Sequence, residues 1–318
     1  MRLLFILSML TGHLVWGQAN FSNAVDYNAF IAREQREVVK KNLHYISFAV
    51  HSQDYQLIEV KRRDVLRQIA MAKKRIAGMP SFEGDARLRD EAVEILSEYE
   101  NAFSIKFKEV INRRKNSESS FKAMQAYFVA ENSAEKQVVN ATQKFNRAQT
   151  RFVEHHNLIF ENDEEVDALT NEMIQITSLN LYLRNVFLEY FKVQAAFTEM
   201  LEVLYGQKSG VMEKKRKQVI AMAEEAIEGI KSYGPFEGHT SYRDQTLMLV
   251  KYYHDLAGEE FAQIVSLFKK RAGLNDDDIQ YINNVLRDYE AEGEDLMQRL
   301  NAANNDLLLQ YVSPKPSE

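Results

Sequence analysis

The chain of 318 residues has no cysteine. That excludes disulfides, thiolate metal sites, a cysteine nucleophile, c-type haem attachment and the acylated cysteine of a bacterial lipoprotein, so stability has to come from packing. Proline is scarce, with 4 residues, and glycine is held to 12, so little interrupts a helix. An excess of one charge is lacking too. The 40 basic and 46 acidic residues leave a net charge of −6, spread rather than blocked, which argues against a nucleic-acid binder. Strand-type alternation is not evident, and no apolar run beyond the first residues has the length of a membrane span.

What is present begins with Met1-Arg2, an apolar stretch over Leu3 to Leu10 and Leu14 to Trp16, and then Gly17-Gln18-Ala19. This is the grammar of a signal peptide over 1–19, cut before Asn20 or after Gly17. It predicts export to the periplasm, cell surface or extracellular space, no lipid anchor, and no transmembrane span once the leader is removed.

From Val25 to Tyr311 the apolar residues recur at helical spacing. Leu169, Met173, Ile176, Leu183, Phe187, Tyr190, Phe197, Leu201 and Leu204 share one face with Asn180 and Gln194, and Ile279, Ile282, Leu286, Tyr289, Leu296, Leu300, Ala303 and Leu307 alternate by threes and fours. That alternation is the seam of antiparallel bundle packing. Asp276, Asp277 and Asp278 mark a helix N-terminus, where negative charge is favoured.

An internal repeat emerges when 58–111 is laid on 212–265 at a constant offset of 154. Lys61-Arg62 falls on Lys215-Arg216, Val65 on Val219, Ile76 on Ile230, Phe82-Glu83-Gly84 on Phe236-Glu237-Gly238, Arg89-Asp90 on Arg243-Asp244, Tyr99 on Tyr253 and Phe107 on Phe261. The expected fold is all-α: two tandem antiparallel four-helix bundles related by internal duplication, over 20–162 and 163–312, with a disordered tail at 313–318. Helices are expected near 26–53, 56–78, 85–114 and 118–160, then 164–206, 210–232, 239–271 and 276–311. A unit of this length can bury its own core, unlike the repeats of a solenoid. With no Pro- or Gly-rich linker between them, the bundles are expected to pack in a fixed relation.

The strictest recurrence is the turn Phe82-Glu83-Gly84 with Arg89-Asp90, and its copy Phe236-Glu237-Gly238 with Arg243-Asp244. A structural reading accounts for it. Gly allows unusual backbone angles, Pro80 or Pro235 stops the preceding helix, Phe plugs the bundle end, and the Arg and Asp bond to the loop backbone. In the alternative reading the turn is a recognition edge with Phe82, Arg89, Phe236 and Arg243 as anchors.

Catalytic chemistry is not visible. A di-metal carboxylate bundle needs Glu-x-x-His pairs, and His44, His51, His155, His156, His239 and His254 all lack the Glu. His155 and His156, adjacent on a helix, diverge by about 100° and make a poor chelate. No catalytic, cofactor or metal residue is therefore assigned. Glu131, Glu135, Thr142, Gln149 and His156 continue the seam register of Phe121 to Phe152. Polar residues at seam positions can specify register or line a cavity, but the expectation is that Asn132-Ser133 breaks the helix and lets the glutamates reach solvent. The basic runs at Lys61-Arg62-Arg63, Arg113-Arg114-Lys115, 214–217 and 269–271 read as helix-end or solvated charge.

Phe82-Glu83-Gly84-Asp85 with Leu88-Arg89-Asp90, Met124-Gln125-Ala126-Tyr127, and the segment from Ala134 to Phe152-Val153-Glu154-His155-His156-Asn157 resemble the uncharacterised leptospiral-type surface proteins of Bacteroidetes and spirochaetes. The resemblance covers most of the chain if the second repeat is counted. It implies a secreted or envelope-located helical protein with no established activity. The expected function is a noncatalytic scaffold or binding module for a protein or glycan partner. The alternative is a small-molecule or metal-binding module that uses a cavity in a bundle core.

Overall fold

A computed structural model describes residues 21–158, 164–204, 206, 209–270 and 273–312. The leader expected at 1–19, the acidic joint at 161–163 and the tail expected at 313–318 lie outside them, as do the side chains at 164–167. The described residues form α1 (Ala24–His51), α2 (Tyr55–Ala77), α3 (Arg87–Asn101), a π-helical segment (Ala102–Lys106), α4 (Phe107–Arg114), a 3₁₀ turn (Ser117–Ser119), α5 (Phe121–His155), α6 (Glu164–Leu204), α7 (Ser209–Tyr233), α8 (Ser241–Gly258), α9 (Glu260–Leu267) and α10 (Asp276–Tyr311). The protein is all-α, and its helices gather into two clusters, consistent with a duplicated bundle. None of the described helices is long and apolar enough to cross a membrane.

Local chemistry sets the helix starts. Asn23, Asp54 and Ser120 each turn a side-chain oxygen onto an orphan backbone N–H of the first turn. Asn275 and Asp278 exchange such bonds in a capping box, and Lys270 pairs with Asp278 at 2.7 Å. Of the seam residues on α10, Ile279 is the exception at 46% exposed, because it lies on the first turn ahead of the packed stretch.

The long third rod of each cluster is interrupted at the same place. In the first, the π segment separates α3 from α4; in the second, Glu259 (φ −108°, ψ −77°) separates α8 from α9. An interruption of the ladder frees a carbonyl oxygen. Arg62 of α2 donates to the Phe103 carbonyl, and Arg216 of α7 donates to that of Ala257 at 3.0 Å. Glu59 and Glu213, one turn back, hold the two guanidiniums at 2.7 and 3.0 Å. This corrects the reading of Lys61-Arg62 as solvated charge: both are buried, at 7% and 5% exposure.

The break expected at Asn132-Ser133 does not occur. α5 runs unbroken from Phe121 to His155, so the register carries Glu135, Thr142 and Gln149 inward, and all three are buried. They face a matching heptad row on α1, Asn28, Gln35 and Asn42, also buried. Gln149 donates to Asn28 at 3.2 Å, Gln35 donates to the Tyr99 hydroxyl at 3.0 Å, and that hydroxyl bonds Thr142. At an offset of 155, the α1 row corresponds to Leu183, Tyr190 and Phe197 on α6, so the second core is apolar and aromatic where the first is polar.

α6 belongs to both clusters. Its leading turns lie against α1 and α5, with Met173 touching Asn42 and Thr142, whereas Tyr182, Tyr190 and Phe197 pack on Phe236, Tyr253 and Phe261 of the second cluster. Where the clusters meet, Arg184 is buried between Glu135 at 2.7 Å and Glu131 at 3.1 Å. Asn132 and Asn180 complete the knot, bonding Arg184 and Glu135. Burial pushes the Glu131 carboxyl above its usual range, against the pull of Arg184.

Candidate metal centre

The two Phe-Glu-Gly turns are near-superimposable in their bonding. Phe82 and Asp85 exchange backbone hydrogen bonds at 2.9 and 2.8 Å, and Phe236 and His239 do so at 3.2 and 2.8 Å. Both central residues have positive φ, 51° and 83° at Glu83-Gly84 and 47° and 89° at Glu237-Gly238. That is the pattern of a two-residue type I′ turn, which needs Gly at its second centre. Phe82 packs on Tyr27, Phe152 and His156; Phe236 packs on Tyr182 and Tyr311. The hydroxyl of Tyr27 donates to the Pro80 carbonyl and that of Tyr182 to Gly234, each at 3.2 Å. Arg89 pairs with Asp90 and donates to the Met79 carbonyl at 3.0 Å, and Arg243 pairs with Asp244. The ten recurring residues therefore come together turn by turn at the ends of two clusters.

What differs between the turns is the chemistry laid over them. Over the first, donor atoms of Asp85, His155 and His156 lie within 4.8 Å of one another, the one such group of three among the described residues. The divergence expected of neighbouring histidines holds only inside a helix. α5 ends at His155, His156 is its C-cap, and Asn157 turns left-handed at φ 51°, so the two rings come to lie 4.9 Å apart and nearly perpendicular. Over the second turn the corresponding residues are His239, Gln310 and Tyr311, and the Tyr311 hydroxyl donates to Glu237 at 2.9 Å.

Asp85 is positioned by the start of α3. Its carboxylate accepts from the Arg87 backbone N–H at 2.8 Å and from the Arg87 guanidinium at 2.6 Å. These bonds, with a smaller contribution from the nearby His155, hold the carboxyl at about 2. His156 packs edge-on to Phe82 and against Phe152, its Nδ1 is 3.9 Å from Glu83, and its Nε2 is buried with no hydrogen-bond partner among the described residues. His155 is exposed at the edge of an open hollow of about 690 Å³ lined also by Glu83, Asp85, Asp90, Glu91 and Glu94. Such a concentration of carboxylates raises the local density of cations.

Two imidazoles and one carboxylate with an open side are a donor set for a borderline divalent ion such as Zn²⁺, Co²⁺ or Ni²⁺ rather than Ca²⁺ or Mg²⁺, which take oxygen shells. Tetrahedral Zn²⁺ with bonds of about 2.0–2.1 Å brings its donors to about 3.3 Å from one another. The three donors, within 4.8 Å of one another, would have to draw in by up to about 1.5 Å to ligate such an ion.

The trio escaped the sequence reading because His155 and His156 were placed inside a helix. The signal was present: Asp85 and His156 fall on His239 and Tyr311 in the second copy, so they depart from an otherwise matching turn. Comparison of the chain with protein-family models, with curated proteins and with solved structures yields no match.

Proposed function

We propose that this is an exported, noncatalytic helical module, two tandem four-helix bundles of one duplicated unit, that binds a divalent transition-metal ion at the free end of the first bundle. Asp85, His155 and His156 are the ligands, with Glu83 and the flanking acids drawing the ion in. The observation that carries this reading is the convergence of the three donors over one turn only. The second turn keeps the same backbone with His239, Gln310 and Tyr311, so the fold does not require the trio. The histidines gather at a bundle end rather than in a core cavity, which moves the site from where the sequence located it.

A scaffold for a protein or glycan partner draws support from the closely filled helix clusters, and it is compatible with a metal held on the outer end. Envelope or extracellular location, and kinship with the leptospiral-type surface proteins, accord with the leader grammar and the motifs around the first turn.

Calorimetric titration of the purified protein with ZnSO₄, NiCl₂ and CaCl₂ tests the metal reading. One equivalent of Zn²⁺ or Ni²⁺ is expected, weakened at least about tenfold in His155→Ala, His156→Ala and Asp85→Asn, with no saturable Ca²⁺ binding. Zn²⁺ affinity unchanged in all three variants sinks the assignment.

A further inference from the structure

A second site lies where the clusters meet, beside Tyr242 near the second turn and at the opposite end of α5 from the first, and it is independent of the metal reading. It is a cleft of about 230 Å³ between the lower end of the first cluster and the upper end of the second. That is smaller than the roughly 300–1,000 Å³ of pockets for drug-sized ligands, and it has the size of one ring with a short headgroup. Its apolar walls are Met124 and Phe128 from α5, and Leu183 and Phe187 from α6. Phe128 and Phe187 meet edge to face at 5.9 Å, leaving aromatic faces and edges to receive a further ring.

Two guanidiniums reach the cleft, and they differ in what they have left to give. Arg184 is spent on Glu131 and Glu135. Arg114 donates to the carbonyls of Ala49 and Ser52, at 2.8 and 3.2 Å, lies over the Tyr55 ring, and has no carboxylate in salt-bridge contact among the described residues. A guanidinium carries five N–H donors, so two bonds to neutral carbonyls leave both charge and donors for an anion. The acid that lines the cleft is Glu118, which is exposed, and the Arg114 charge is also felt through space by Glu131, which Arg184 already pairs.

We infer that this junction cleft binds a small aromatic carboxylate, its ring between the walls of α5 and α6 and its carboxylate on Arg114. Because residues of both clusters line it, such a ligand also braces their relation. The apolar walls supply the contact area and Arg114 the selectivity for a negative headgroup. An aromatic alcohol of the same shape fits the walls but leaves Arg114 unmatched, and an aromatic ammonium opposes it.

Titration of methyl-¹³C-methionine protein with benzoate, benzyl alcohol and benzylammonium, followed by NMR, tests the assignment. The Met124 methyl signal is identified through Met124→Leu. Benzoate should shift that signal with a dissociation constant of about 1 mM or tighter, some tenfold tighter than benzyl alcohol, with benzylammonium weaker still. Arg114→Met should remove the preference for benzoate over the alcohol. Since Arg114 also ties down the α1–α2 corner, Asn304→Trp, which fills the cleft from α10, gives a separate check and should weaken both ligands at least tenfold. Glu118→Gln should tighten benzoate several-fold. Benzoate that leaves the Met124 methyl unmoved, or binds no better than benzyl alcohol, overturns the proposal.

Discussion

Arg89 and Arg243 occupy matching positions, yet they do different work. Arg89 reaches the Met79 carbonyl as well as Asp90, whereas Arg243 is paired with Asp244. Arg89→Ala should therefore cost about 1 kcal/mol, the net value of a backbone hydrogen bond, and Arg243→Ala less. Thermal melts of the two variants decide this, and unchanged stability in both counts against a structural role for the turn arginines. Glu59 and Glu213 report on acidity. Their hydrogen bonds to Arg62 and Arg216 hold each carboxyl at about 2, below its unfolded value. A depressed acid contributes stability that is present above its unfolded pKa and lost as the pH falls toward the folded one. Urea midpoints should fall between about pH 4.5 and pH 2, less steeply in Glu59→Gln and Glu213→Gln, which lack the titrating groups. A fall of equal steepness in both variants places the acid sensitivity elsewhere.

At the scale of elements, the helical rods were legible in the sequence because apolar spacing and caps such as Asn275 with Asp278 mark them directly. The interruptions at 102–106 and at Glu259 were not. The carbonyl that each break frees is taken by an arginine 41 residues earlier on a neighbouring rod, and a one-dimensional pattern does not register so distant a partner. The burial of Glu135 is hidden for a related reason: its partners Asn180 and Arg184 come from another helix, and a break at Asn132-Ser133 offered the carboxylate a route to solvent without them. α6 gives the clearest test at this scale. Ser178 is exposed on it where the rod passes from one cluster to the other. Ser178→Pro removes a ladder bond and should cost about 3 kcal/mol or more, while Ser178→Gly should cost about 1 kcal/mol or less. Denaturant unfolding that distinguishes neither variant from the parent would contradict a continuous rod.

For the whole molecule, the knot of Arg184 with Glu131 and Glu135 joins two helices that the sequence assigns to different bundles. Removing the cation leaves two carboxylates buried without their counter-charge. Arg184→Met should destabilise by roughly 3–5 kcal/mol, and adding Glu131→Gln and Glu135→Gln in the same chain should recover a large part of that loss. If the triple variant is no more stable than Arg184→Met alone, the knot is not an electrostatic unit. The leading turns of α6 tie the fates of the two clusters together. With Met173 seated between Asn42 and Thr142, the rod that goes on to build the second cluster is also a wall of the first. Cutting the chain ahead of α6 would strip the first cluster of that cover and leave Leu169 and Met173 without a host, so neither cluster is a unit to be lifted out whole.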